Sequence, residues 1–168
     1  METDRAWADA YLAQALADFE GAKAVAQGGV APSVLAMLLQ MVFEKLGKAA
    51  LLRSGAVSLL WAQSSHEAAS RFLLVLRRER WRLDPIGGTK TWEDVLWVVD
   101  SLERAHPSVA VGAAPQLEYP WEIPPGEVMW PARDLPIAAS PGNPASNLAA
   151  RVLRFCALLC ERFDQICP

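Results

Sequence analysis

The sequence is poor in alternating β-branched residues, in histidine and in long apolar runs. Apolar residues recur at helical rather than strand spacing, so we expect an all-α fold in which the 168 residues form one domain. The longest apolar run, Val34 to Phe43, contains Gln40 and ends at Glu44, whereas a membrane span needs about 20 apolar residues. The acidic segment from Met1 to Arg5 lacks the apolar stretch of a secretory signal. We therefore expect a cytosolic protein without membrane contact.

The signatures of common cofactor, nucleotide and metal sites are missing as well. The sequence has no Gly-x-Gly-x-x-Gly motif, no phosphate-binding loop and no paired-histidine metal motif. The net charge of −3 argues against a broad cationic surface for nucleic acid. We expect no cofactor and no resident metal, and the sequence supports nucleic-acid binding only weakly.

The three cysteines, Cys156, Cys160 and Cys167, are odd in number and fall in one C-terminal segment, which argues against a disulfide framework. Zinc could use the first two. The third stands about 10 Å further along a helix, too far for one tetrahedral site. We expect all three to act as small apolar residues of the core.

Helical periodicity and capping residues predict an up-and-down bundle of five helices. The predicted helices cover about 4–27, 32–54, 66–81, 91–106 and 143–166. Pro32 suits a first helical position, and Ser64 and Ser65 suit the cap of the third helix. The second helix is apolar almost all round, which predicts that it is the central, most buried helix.

The segment from 107 to 142 differs from the rest because it holds eight of the twelve prolines. Around Tyr119-Pro120-Trp121 and Trp130-Pro131 it cannot form a continuous helix. A long insert without structure is uncommon in a compact domain unless it packs or functions. We expect its aromatic side chains either to pin it to the bundle or to cover a pocket.

Polar residues on the second and third helices form the first candidate site. Gln40, Glu44 and Lys48 lie one turn apart on an otherwise apolar helix. They either line a ligand cleft or form a buried network that fixes the packing, because a buried charge must be paired. His66 is either an acid–base or ligand group or a member of the helix cap.

Arginines around Trp81 form a second candidate site, for RNA or phosphate. They are Arg77, Arg78, Arg80 and Arg82. Alternating arginine and tryptophan can stack on bases and hold phosphates. Cations at the end of a helix also complement its dipole, which is the competing interpretation.

Parts of the first three helices together resemble the HEPN superfamily of small helical bundles. The first helix carries Trp7, Tyr11 and Asp18 at a similar spacing. The run from Gln40 to Ala49 looks like the family's Gln, Glu-Lys and Lys-Ala pattern, and Ser65-His66 is similar to its Ser-His pair. More distantly, Tyr119-Pro120 stands where many members have Tyr-Pro before their last helix. The resemblance covers about residues 6 to 75.

Many HEPN proteins are metal-independent ribonucleases, with an arginine followed after four to six residues by a histidine. This chain has two histidines, His66 and His106. The required positions hold Leu-Leu-Trp at 59–61 and Val-Asp-Ser at 99–101, so the motif is absent. The chain therefore resembles a branch of the family without nuclease activity.

These patterns indicate a non-catalytic, homodimeric HEPN-like module that binds a nucleotide, RNA or a partner protein such as a nucleotidyltransferase. Two alternatives stay open: a divergent ribonuclease or nucleotide-processing enzyme, and a structural or antitoxin-like interaction subunit. The expected ligand-binding residues are Gln40, Glu44, Lys48, His66, Tyr119 and Trp121.

Overall fold

The structure, a computed structural model, describes residues 2–78, 89–110, 114–135 and 148–168. This part of the chain forms eight helices and one small hairpin, which confirms the expected all-α bundle. The elements are α1 (Glu2–Gly28), α2 (Pro32–Arg53), α3 (Leu59–Ser64), α4 (Ala68–Arg78), α5 (Thr89–Arg104), β1 (Trp121–Ile123), β2 (Glu127–Met129), α6 (Pro131–Asp134), α7 (Leu148–Glu161) and α8 (Phe163–Ile166). None of the described helices is both long and apolar enough to span a bilayer.

Helix α2 lies at the centre of the bundle, as its apolar composition predicts. Fifteen of its 22 residues are buried, and it packs against α1, α4, α5 and α6. Leu39, Phe43 and Leu46 are at most 1% exposed and occupy the middle of the main apolar core. Burying one such side chain stabilises the fold by roughly 1.5–3 kcal/mol. The polar residues of α2 are consequently enclosed by the bundle.

Helix α1 packs along α2 through small side chains. Ala8, Ala15 and Ala22 recur every seven residues and are all fully buried. Gly29, with a φ of +66°, turns the chain between the two helices, a backbone conformation that glycine adopts without strain. An ion pair between Lys45 Nζ and Asp18 Oδ2, 2.6 Å long, also joins α1 to α2.

A close contact between α2 and α4 depends on Gly47. A Cβ atom built on Gly47 would lie 2.6 Å from the carbonyl carbon of Ala68 and 3.0 Å from the nitrogen of Ala69. Those distances are shorter than van der Waals contact, so a side chain here would push the start of α4 away. The missing Cβ therefore sets how closely the segment before α4 approaches α2.

Two helix boundaries differ from the sequence-based expectation. A short helix, α3, precedes α4, and the hydroxyl of Ser58 caps it by accepting a hydrogen bond from the Trp61 N–H at 3.2 Å. Ser64 belongs to the end of α3, and α4 begins only at Ala68. The last helix is interrupted at Arg162, which separates α7 from α8. The expected start of that helix near 143 lies outside the described residues.

The proline-rich segment contains regular structure that the sequence did not indicate. Strands β1 and β2 pair antiparallel, with Trp121 opposite Met129. Trp121 is buried, and Leu117 and Leu135 are part of the main core. In its described residues, the segment is therefore pinned to the bundle by apolar side chains.

Candidate functional site

The three polar residues of α2 form a buried network, here called the polar strip (Gln40, Glu44 and Lys48). They are 4%, 9% and 5% exposed. Lys48 Nζ lies 2.7 Å from Glu44 Oε1, and Gln40 Nε2 donates to Glu44 Oε2 at 2.6 Å. Burial alone would raise the pKa of Glu44, but the hydrogen bonds and charge of Lys48, with help from Gln40 and His66, bring that pKa below its ordinary value. The Glu44 carboxylate is thus held ionised, with Lys48 at one oxygen and Gln40 at the other.

His66 meets the polar strip from the segment between α3 and α4. Its Nδ1 atom lies 3.4 Å from both oxygens of Glu44, and its side chain is 30% exposed. The close approach at Gly47 brings this segment against α2, because Ala68 directly follows it. His66 therefore connects the buried carboxylate to the surface.

His106 joins this group from the far end of α5. Its ring stacks on that of His66 with a centroid distance of 3.9 Å and an angle of 20° between the ring planes. The backbone N–H of Ser108 donates to His106 Nδ1 at 3.1 Å. Burial and the neighbouring His66 lower the pKa of His106. Glu44, His66 and His106 are called the histidine cluster below.

The histidine cluster lies beside Tyr11 of α1. Lys48 Nζ sits 5.6 Å from the centroid of the Tyr11 ring, close enough for a cation–π contact. Burial and the negative charge of Glu44 raise the pKa of the Tyr11 hydroxyl. Because its pKa is raised, that phenol stays neutral in the physiological range. Side chains of α1 and α2 and of the segments before α4 and after α5 thus converge around Glu44.

The N-terminus of α4, next to His66, is already occupied by a side chain of the protein. Glu103 of α5 is buried and accepts the Ser70 N–H at 3.0 Å. Burial has the largest effect on the pKa of Glu103 and raises it, although hydrogen bonds from Ser70 and Ala69 act to lower it. Since a carboxylate fills this helix end, an external anion would have to approach the imidazole rings instead.

The other expected site residues that the structure describes differ in exposure and position. Tyr119 is 58% exposed, whereas Trp121 is buried in the hairpin. Arg77 and Arg78 are exposed at the opposite end of α4 from His66. The nine-residue rise from Ala68 to Arg77 amounts to about 14 Å. Arg80 and Arg82 lie outside the described residues.

An apolar pocket of about 300 Å³ lies on the outer face of α5, and its lining includes Trp97, Arg104 and Leu135. It is here called the Trp97 pocket. Its volume is at the low end for ligand sites. Within the described part of the chain, its lining contains neither histidine nor carboxylate, so we place the candidate chemistry at the histidine cluster.

The sequence indicated part of the histidine cluster and missed the rest. The spacing of the polar strip and the position of His66 indicate part of it, whereas the sequence places His106 only in the test for the ribonuclease motif. The scarcity of histidine was the available signal, since the chain has two histidines and both meet here. No protein-family model, no curated protein and no solved structure matches this chain. The likeness to HEPN proteins stays a prediction.

Proposed function

We propose that this chain is a HEPN-like helical module that binds a nucleotide or single-stranded RNA at the histidine cluster. The stacked, partly exposed pair His66 and His106 carries this proposal. Imidazole rings can stack on nucleobases, and their N–H groups can donate hydrogen bonds to phosphate oxygens. Both histidines come from segments between helices, where binding residues are often found.

The polar strip supports binding by holding Glu44 in place. Lys48 and Gln40 engage both carboxylate oxygens of Glu44, so the negative charge beneath the rings is matched by a positive one. A phosphate approaching the rings is therefore not repelled by a free buried carboxylate. His66 in turn is held 3.4 Å from Glu44, which orients its ring toward the surface.

Binding fits the geometry better than RNA cleavage in the manner of HEPN ribonucleases. Cleavage requires a cation that stabilises the negative charge of the phosphorane. The Lys48 side chain is only 6% exposed and forms an ion pair with Glu44, so its charge is already used within the fold. Arg77 and Arg78 lie a helix length away from His66.

Fluorescence anisotropy with a labelled adenine nucleotide and with a labelled short RNA, both in the presence of a chelator, tests the proposal. The wild-type chain should bind at least one probe. Losing one stacking ring costs about 1–2 kcal/mol, so His66→Ala and His106→Ala should each weaken binding by roughly 5- to 30-fold. Arg78→Ala, which removes an exposed cation far from the cluster, is the matched control and should bind like wild type.

Three results would contradict this assignment. They are the absence of binding to both probes, unchanged affinity in the two histidine variants, and a loss of affinity in Trp97→Ala alone, which would move the site to the Trp97 pocket. The RNA probe should also stay intact during the incubation. Its cleavage by wild type, but not by His66→Ala, would favour the divergent ribonuclease instead.

The proposed module also forms a homodimer, but not through α2, because that helix is buried within one subunit. Large apolar side chains exposed elsewhere include Trp7, Trp97 and Trp130. Light scattering should give twice the chain mass of 18.3 kDa. A mass equal to one chain across the accessible concentration range would remove the dimer and leave the ligand proposal standing. Binding to a nucleotidyltransferase partner would be a separate property of this module.

A further inference from the structure

The histidine cluster combines a carboxylate and two imidazole rings, a set of groups that can bind a metal ion and that nucleotide binding does not require. Glu44, His66 and His106 each offer one potential ligand atom, and these atoms all lie within 4.8 Å of one another. The three residues come from α2, from the segment before α4 and from the segment after α5. Local sequence spacing cannot reveal such a group, which explains why the sequence predicted no metal.

We propose that the histidine cluster binds one divalent transition-metal ion of the zinc class through Glu44, His66 and His106. This binding does not require a nucleotide. Two imidazole nitrogens and one carboxylate oxygen form a common three-residue ligand set for such ions. A site with three protein ligands leaves at least one coordination position open. That position could accept water or a phosphate oxygen.

Metal binding requires the cluster to contract. Ligand atoms around a tetrahedral zinc ion, with bonds of about 2.0–2.2 Å, lie roughly 3.4 Å apart. The separations between ligand atoms, now up to 4.8 Å, must therefore shorten by up to about 1.4 Å. Glu44 is fixed on α2, whereas His66 and His106 lie outside regular helix, where their rings can tilt out of the stacked arrangement.

Contraction of the cluster around a metal ion costs free energy at His106. The Ser108 N–H now donates to Nδ1 of that ring, so Nε2 carries the proton of the neutral ring. Coordination through either nitrogen must break this hydrogen bond or change the tautomer. The expected affinity is accordingly lower than that of a preformed structural zinc site.

The residues around Glu44 act on the metal in opposite ways. Gln40 donates to one carboxylate oxygen and thereby orients the ligand, as outer-shell partners do. Lys48 lies 2.7 Å from the other oxygen and places a positive charge beside the metal position. Replacing Lys48 with the uncharged side chain of methionine should therefore strengthen metal binding while it weakens the metal-free fold.

Cysteines are the competing zinc ligands and can be controlled directly. Cys156 is fully buried, and burial raises the pKa of Cys160 to about 11, so its thiol is protonated at neutral pH. A protonated thiol is a poor metal ligand. Cys160→Ser and Cys167→Ser should thus bind zinc like wild type.

Calorimetric titration of chelator-treated protein with Zn²⁺ alone, without nucleotide, tests the proposal. We expect one equivalent to bind, and His66→Ala and His106→Ala each to weaken binding at least tenfold. Both side chains are partly exposed, so these variants should fold. Lys48→Met should bind at least tenfold more tightly than wild type and gain more thermal stability from zinc. Asp18→Asn, which alters another buried carboxylate paired with a lysine, should bind like wild type.

The proposal is overturned if wild type binds no zinc, if the histidine variants bind unchanged, or if Lys48→Met binds more weakly. A Co²⁺ spectrum with a thiolate charge-transfer band that disappears in Cys160→Ser would also overturn it. Nucleotide binding is measured with chelator and metal binding without nucleotide. Failure of one therefore leaves the other testable.

Discussion

Replacement of Gly47 by alanine should destabilise the fold, although alanine is the better helix former. In an exposed helix interior this exchange stabilises by about 1 kcal/mol. At Gly47 the new Cβ would stand 2.6 Å from the Ala68 carbonyl carbon, and both atoms belong to packed helices. Restoring contact at roughly 3.5 Å requires α4 to retreat by about 0.9 Å.

That retreat has two energetic consequences. Overpacking of a close core contact costs about 1–3 kcal/mol. The Ser70 N–H also moves away from Glu103 Oε1, now at 3.0 Å, which leaves a buried carboxylate without part of its hydrogen bonding. An unsatisfied buried group costs about 1–3 kcal/mol more. After subtracting the helix-propensity gain of about 1 kcal/mol, the net loss should be about 1–5 kcal/mol.

Gly21 provides the matched control, because among the described residues a Cβ there would meet only the Leu38 side chain, at 3.8 Å. Urea unfolding followed by circular dichroism should show Gly21→Ala equal to wild type or up to about 1 kcal/mol more stable. Gly47→Ala should have a lower midpoint with a similar slope. Equal stability of the two variants would refute the close approach of α4 to α2, and with it our account of how His66 reaches Glu44.

Three further predictions concern other parts of the fold. The pKa of Glu103 is higher in the folded state than the ordinary glutamate value of about 4.5. The folded protein therefore loses stability as the pH rises from about 4.5 through the pKa of Glu103 in the folded state, because the carboxyl group ionises less readily when buried. Glu103→Gln should therefore gain stability relative to wild type over that interval in pH-dependent urea unfolding, and a constant difference between the two would contradict the shift. Ser58→Ala removes the cap of α3 and should cost about 1 kcal/mol in thermal unfolding, whereas a change below about 0.2 kcal/mol would mean that the cap contributes nothing. Leu117→Ala should cost about 2–5 kcal/mol because this buried side chain pins the proline-rich segment, while Val128→Ala, at an exposed position of the hairpin, should stay within about 0.5 kcal/mol. Equal effects of Leu117→Ala and Val128→Ala would show that the segment is not held by Leu117.

Prediction from the sequence worked best where the relevant interactions are local. The hydrogen bond from Gln40 and the ion pair of Lys48 to Glu44 both span four residues, so helical spacing alone brought them together. The apolar character of α2 likewise indicated its burial. The hairpin of β1 and β2 was missed because three-residue strands are too short to show an alternating pattern.

The sequence by itself indicated the long helices, the apolar character that places α2 at the centre and the polar strip, because helical periodicity and one-turn contacts depend on neighbours within about four residues. Only the tertiary structure decided that His106 stacks on His66, 40 positions away, and that Glu103 fills the N-terminus of α4. Those contacts depend on how closely two helices approach. At Gly47 the absence of a Cβ sets that distance, and the sequence does not show this because Ala68 meets Gly47 only in the folded chain.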